Sequence, residues 1–256
     1  MHRGVTVTNE GVEFLATVRS LYQQYEEICL KYSDDSKIRW KFSVSMQHYS
    51  FAVKVFIEMA KYYNANEFDM ILREARTLSV INDVGSLRSE IGILYMSDQN
   101  RKLISKLLRE QELDFHTLIQ CPACVYLAKS HPLAGERELS ITQLEEYPCL
   151  SFEQGSDAEF YLSEELLSEH IFHKTIKVSD RATMMNLLEG MNGYTLCSSI
   201  YNEHLSSDRF CVIPFRENVD TPNTIMEIGY ITKKNAALSS MGRRYIEEIQ
   251  NNLFPE

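Results

Sequence analysis

The chain has 256 residues, 44% hydrophobic and 24% charged, which is enough for one large domain or two small lobes with real cores. No apolar run approaches the about 20 residues that cross a bilayer, and the first ten residues lack the apolar stretch of a secretory leader; both point to the cytoplasm. Net charge is −10 without any cluster of Lys and Arg, so the polypeptide is ill suited to holding a phosphate backbone.

The first patterned stretch runs from Glu10 to Tyr32. Phe14, Val18, Leu21, Tyr25, Ile28 and Tyr32 follow the alternating four- and three-residue steps of a heptad seam. Thr8 or Asn9 is placed to cap this helix, and Asp34-Asp35-Ser36 ends it. A long amphipathic helix outside the globular body wants a partner, so Phe14, Val18, Leu21, Tyr25 and Ile28 are assigned to dimerisation. The competing reading packs the helix on its own domain.

Beyond the linker the period changes. Trp40 to Ser45 alternates as a strand, Phe51 to Tyr63 has helical spacing, and Phe68 to Leu72 is a second strand. A helix over Thr77–Leu87 and a strand over Ile91–Tyr95 complete a βαβαβ order, which implies a parallel, doubly wound sheet with right-handed crossovers. Strands follow at Phe115–Ile119 and Cys124–Ala128, then a turn at His131-Pro132-Leu133-Ala134. The remainder reads as helix Ile141–Glu146, strand Cys149–Glu153, helix Ala158–His170, strand Lys174–Val178, helix Ala182–Met191 and strand Tyr194–Cys197. Late strands at Phe210–Pro214 and Met226–Ile231 precede a closing helix, Ser239–Asn252. Two α/β units with a strand-rich join suggest a bilobed protein.

Chemistry is sparse. Six cysteines are scattered through mostly apolar runs, and Cys121-Pro-Ala-Cys124 has metal or redox spacing but no second pair and no spaced His. These read as buried strand residues, with no metal and no cofactor. There is no G-x-S-x-G, P-loop, G-x-G-x-x-G or HExxH, so no catalytic residue is assigned and no enzyme is expected.

Several segments, in order, resemble the LysR-type transcriptional regulators. Arg3 to Gly11 looks like the end of that family's DNA-binding wing, and Phe42 to Tyr49 like the first strand and effector loop of its regulatory domain. Glu90-Ile91-Gly92-Ile93-Leu94 matches an acidic-x-Gly-Ile strand, with Glu where Asp is commoner. His131-Pro132-Leu133-Ala134, Tyr147-Pro148-Cys149-Leu150 and Gly229-Tyr230-Ile231 complete the series.

The resemblance implies the end of a wing over 1–9, a linker helix over 10–35 and a regulatory domain over 36–256. That domain would hold two doubly wound α/β lobes of the type-two periplasmic-binding-protein kind, lobe I at about 36–113 and 215–256 and lobe II at about 114–214. A winged helix-turn-helix would be expected ahead of the first residue, so DNA would be reached only through that part, with Arg3 at most a weak phosphate contact. By position in the family pattern, Gln47, Tyr49, Thr77, Tyr95 and Gln154 are the first effector contacts, and Ser45, His48 and Ser179 the next. Ordinary capping is the competing reading for each, and Ser179 or Asp180 suits a plain N-cap. Helix N-termini facing the cleft from both units favour an anionic metabolite, and His48 is the pH-sensitive member of the set. The implied function is effector sensing that controls transcription in a full-length homodimer or homotetramer. The alternatives are a solute-binding receptor of the same fold and a dominant-negative partner unable to bind DNA.

Overall fold

The computed structural model describes residues 40–63, 67–155, 159–168, 170–200, 208–216 and 224–254, together with individual positions between 8 and 28. Strands β1 (Trp40–Met46), β2 (Phe68–Glu74) and β3 (Ile91–Met96) lie in the order β2-β1-β3, and both pairings are parallel. Every residue of β3 is buried, as expected of a strand covered on both faces by crossover helices. Helix α1 (Ser50–Tyr62) turns Phe51, Ala52, Val55 and Met59 inward, and α2 (Thr77–Gly85) turns Val80, Ile81 and Val84 inward. The βαβαβ unit read from periodicity is therefore present.

The join between units differs from the two strands expected. After α3 (Arg101–Glu110), β4 (Leu113–Ala128) is a single strand of 16 residues. Its first part pairs antiparallel with β9 (Ile225–Lys233), with a register irregularity between Thr117 and Ile119. From Ala123 onward it pairs with β7 (Tyr194–Ser198) on one side and β8 (Phe210–Pro214) on the other. The partner change falls at Pro122, which lacks an N–H. Here the proline is exposed and tolerated within the continuous strand. Among the described residues the sheet has nine strands, with β5 (Cys149–Phe152) beside β7 and β6 (Thr175–Val178) at the far edge.

In the second half, α4 (Ile141–Leu144) opens with a capping box made by Ser140 and Gln143. The helix expected over Ala158–His170 is reduced to α5 (Glu159–Leu162), after which the chain turns. Leu162, Leu166 and Leu167 are buried as a helical pattern would have them, but Leu167 takes φ 59 and the intervening glutamates reach across the molecule. Helix α6 (Arg181–Gly190) is capped by Asp180, whose carboxylate accepts from the Thr183 N–H at 2.8 Å. Closing helix α7 (Ser240–Leu253) packs on α1, and the fully buried Tyr245 donates its hydroxyl to the Ala52 carbonyl at 2.9 Å.

The short motifs prove structural. The His131 Nδ1 accepts from the Leu133 N–H at 3.0 Å, so Nε2 carries the proton and donates to the Asn192 carbonyl at 3.0 Å. Burial lowers the His131 pKa, and the neutral ring serves both bonds. Gly229 sits where a Cβ would strike the Phe115 ring and the His116 carbonyl, which lets β4 and β9 close up.

In the N-terminal stretch, the described positions Phe14, Val18, Leu21, Tyr25 and Ile28 are helical and exposed, four of them by 58–66%. Arg3, Asn9 and the Asp34–Ser36 stop lie outside the described residues. No described helix is long and apolar enough to cross a membrane.

Candidate functional site

The cleft lies where the carboxyl ends of β1, β2 and β3 face β5 and α6, the position at which open α/β sheets receive ligands. Gln47 follows β1 and is fully buried. Its Nε2 donates to the Thr77 hydroxyl at 2.6 Å, while its Oε1 accepts from the Tyr49 hydroxyl and the Tyr95 N–H, each at 3.0 Å. Thr77 is the first helical residue of α2 and not its cap; Arg76 takes the cap position without a side-chain bond. The Thr77 N–H donates to Gln154 Oε1 at 3.0 Å, crossing from one half of the molecule to the other. Gln47, Tyr49, Thr77, Tyr95 and Gln154 are thus brought into one buried network.

Two glutamates that sequence reasoning did not single out complete it. Glu164 Oε2 accepts from the His48 backbone N–H at 3.0 Å and lies 2.7 Å from the His48 Nδ1, and its Oε1 accepts from Gln154 Nε2 at 3.1 Å. The His48 ring stacks on Phe152 with centroids 3.5 Å apart. Glu165 accepts from the Phe152 N–H at 2.9 Å and from the Ser163 hydroxyl at 3.0 Å. Its backbone carbonyl takes the Tyr95 hydroxyl at 3.1 Å, and the Leu162 carbonyl takes that of Thr77 at 2.7 Å.

Burial, reinforced by the charge of neighbouring Glu164, pushes the Glu165 carboxyl up to about 8. Burial also raises the Tyr49 and Tyr95 phenols, so both act as hydroxyl donors. The Asn100 Nδ2, beside Tyr95, is buried without a partner among the described residues. Across the mouth, Arg181 grips Glu74 and Arg76 pairs with Glu153. These pairs are part-exposed, so each contributes little to stability.

The remaining expected contacts stand apart. Ser45 donates to the Asp83 carboxylate at 2.6 Å and lies 2.8 Å from the Ser89 hydroxyl, inside the first half. Ser179 is exposed at the rim beside Arg76 and Glu153. A cavity of about 120 Å³ opens beside His48 and Glu164, lined further by Tyr126, Met184, Met185, Thr195, Ser198 and Met226.

No group of three metal-ligating side chains occurs among the described residues. Cys121, Cys124, Cys149, Cys197 and Cys211 are free thiols. Burial raises all five, Cys149 to about 12, which suits inert strand residues over nucleophiles.

Known proteins resemble this chain in sequence and in fold. Over 150 residues, 58% of the chain, the sequence is 25% identical to the HTH-type transcriptional regulator CysL of Bacillus subtilis (strain 168), and the match spans 46% of that regulator's length. A full-length OxyR variant from Pseudomonas aeruginosa superposes with a TM-score of 0.59 at 13% identity, covering 98% of this chain and 80% of that one. The effector binding domain of QuiR in complex with shikimate gives 0.55 at 15% identity, covering 83% and 96%. At such identities the structures establish a shared fold. The family model described as the LysR substrate binding domain matches residues 67–253, and the chain belongs to that family.

Proposed function

We propose that this chain is the effector-sensing part of a LysR-type transcriptional regulator and that its effector binds in the cleft between the two halves. The observation that carries the reading is the chain of bonds from Gln47 through Thr77 to Gln154, which ties polar side chains of both halves to one spot. The division into lobe I (about 36–113 and 215–256) and lobe II (about 114–214) rests on the partner exchange along β4. An effector touching both lobes favours one closure angle, and differential affinity alone shifts the population. The ligand is bound without being transformed. In a full-length cytoplasmic regulator, paired linker helices would carry the change to DNA-binding domains. The exposed seam of Phe14, Leu21, Tyr25 and Ile28 supports that pairing.

The test is a melting-temperature screen of amino acids, keto acids and aromatic carboxylates. A ligand at about 100 times its Kd adds about 2.7 kcal/mol. Each hit is repeated with Thr77→Val and Gln154→Ala. Loss of the ligand response supports the cleft, and a full response in both variants places the effector elsewhere.

A further inference from the structure

The polar contacts around His48 that would suit an anionic effector are already in use, and the acceptor that uses them is the chain's own. Just ahead of α1 and its N-cap Tyr49, the His48 backbone N–H donates to a carboxylate, and that carboxylate belongs to Glu164. The same side chain faces the His48 ring and takes the Gln154 amide, so its two oxygens hold every contact just described around His48. Glu164 is only 8% exposed. Beside it lies the cavity of about 120 Å³, with apolar walls from Met184, Met185 and Met226 and hydroxyls from Thr195 and Ser198. A carboxylate subsite and a cavity are therefore adjacent, with the subsite filled from within.

We propose that Glu164 is a built-in competitor for the effector. Its carboxylate occupies the effector's carboxylate subsite, and the effector is a small monocarboxylate with a compact, largely apolar body that displaces it by rotating the side chain away. This rests on the cleft reading above and adds to it the ligand class and the means of regulation. The backbone N–H and the ring Nδ1 of His48 both meet one Glu164 oxygen, so an effector carboxylate that takes those contacts has to displace it. Glu165, held largely protonated below about pH 8, shows how poorly the site accepts a further negative charge. The body is limited by the cavity of about 120 Å³, smaller than the about 150 Å³ that takes benzene, so a short branched chain fits and a single ring enters only if the walls give a little. A keto or hydroxyl oxygen on that body would meet Thr195 or Ser198. Because the subsite is open for only a fraction of the time, apparent affinity is reduced by that fraction, and removing the competitor restores it.

The experiment measures binding of benzoate and of 3-methyl-2-oxobutanoate by calorimetry to the wild-type chain, Glu164→Gln and Glu164→Ala. Both variants should bind at least one probe about tenfold tighter or better, the scale set by losing a charge-assisted hydrogen bond. Acetate should raise the melting temperature of Glu164→Ala and leave the wild type nearly unmoved. The isosteric Glu164→Gln keeps the test in force if the alanine variant does not fold. Equal affinity in all folded proteins overturns the proposal, since the ligand then does not compete with Glu164. Failure of the probes and of acetate, while a hit from the wider screen still binds and depends on Thr77, also overturns it and leaves the cleft reading standing. Failure of every ligand in both experiments removes both.

Discussion

Glu90, at the head of β3, accepts from both the backbone N–H and the hydroxyl of Ser239, at 2.6 and 2.9 Å, although 149 positions separate them. Ser239 in turn caps α7 by accepting from the Gly242 N–H at 2.9 Å. One carboxylate thus pins the closing helix to the central strand. Glu90→Ala should lower the unfolding free energy by about 2 kcal/mol and Glu90→Gln by about half as much. Urea denaturation with an unchanged slope would register both, and no shift in either midpoint would show the contact to be dispensable.

Glu165 makes stability depend on pH in a stated direction. Its unfolded carboxyl titrates near the ordinary 4.5, and its folded one near about 8. Between those values the folded state holds a proton that the unfolded state has released, so stability is full below about pH 4.5 and declines as pH rises toward 8. Glu165→Gln imitates the protonated form. Melting curves should show the variant gaining on the wild type from pH 5 to pH 8, and parallel profiles would assign the slope to other groups.

Gly229 offers a packing test free of charge effects. A methyl there meets the Phe115 ring and the His116 carbonyl, so Gly229→Ala should cost about 1–3 kcal/mol through overpacking. Gly135→Ala, where a Cβ meets nothing within 4 Å, should change stability far less. Comparable losses at both sites would refute the steric account.

Self-association through the N-terminal helix predicts a dimer or larger species by sedimentation equilibrium at micromolar concentration. Leu21 and Ile28 are 65% and 58% exposed, so changing each to Asp should leave the folded body intact while placing unpaired charge in the seam. The double variant should shift toward monomer. A monomeric wild type, or a variant that associates equally well, would count against the helix as the contact.

What could be read from the sequence was local. The alternation of Trp40 to Ser45 and the helical spacing from Phe51 to Tyr63 each lie within one element, and the elements stand where the periods put them. The converging set Gln47, Tyr49, Thr77, Tyr95 and Gln154 came from family position, and periodicity alone does not distinguish these residues from ordinary turn chemistry. Glu164 escaped notice because its partner His48 is 116 positions away, and no local pattern carries such a bond; Glu165 escaped because its near partners, Ser163 and Phe152, do not show in sequence that the carboxyl is buried. The same bonds explain the shortened helix, since Leu162, Leu166 and Leu167 keep helical burial while the backbone between them bends to deliver carboxylates into the cleft. The gap left between the strands expected at Phe115–Ile119 and Cys124–Ala128 is itself strand, continuous through Pro122.

The unbroken course of β4 has an arithmetic consequence. Past Pro122 its odd-numbered side chains, Ala123, Val125 and Leu127, enter the large core shared with α1 and α7, while Tyr126 and Ala128 face the smaller cluster of Leu150, Met184, Leu188 and Phe210. Side chains in a strand alternate faces, so one residue inserted or removed near Gln120 would exchange the two sets and put each in the wrong core. The passage between the halves is therefore a place where the chain tolerates changes of length poorly, and one-residue indels there should be far more damaging than at an exposed turn such as that around Gly135.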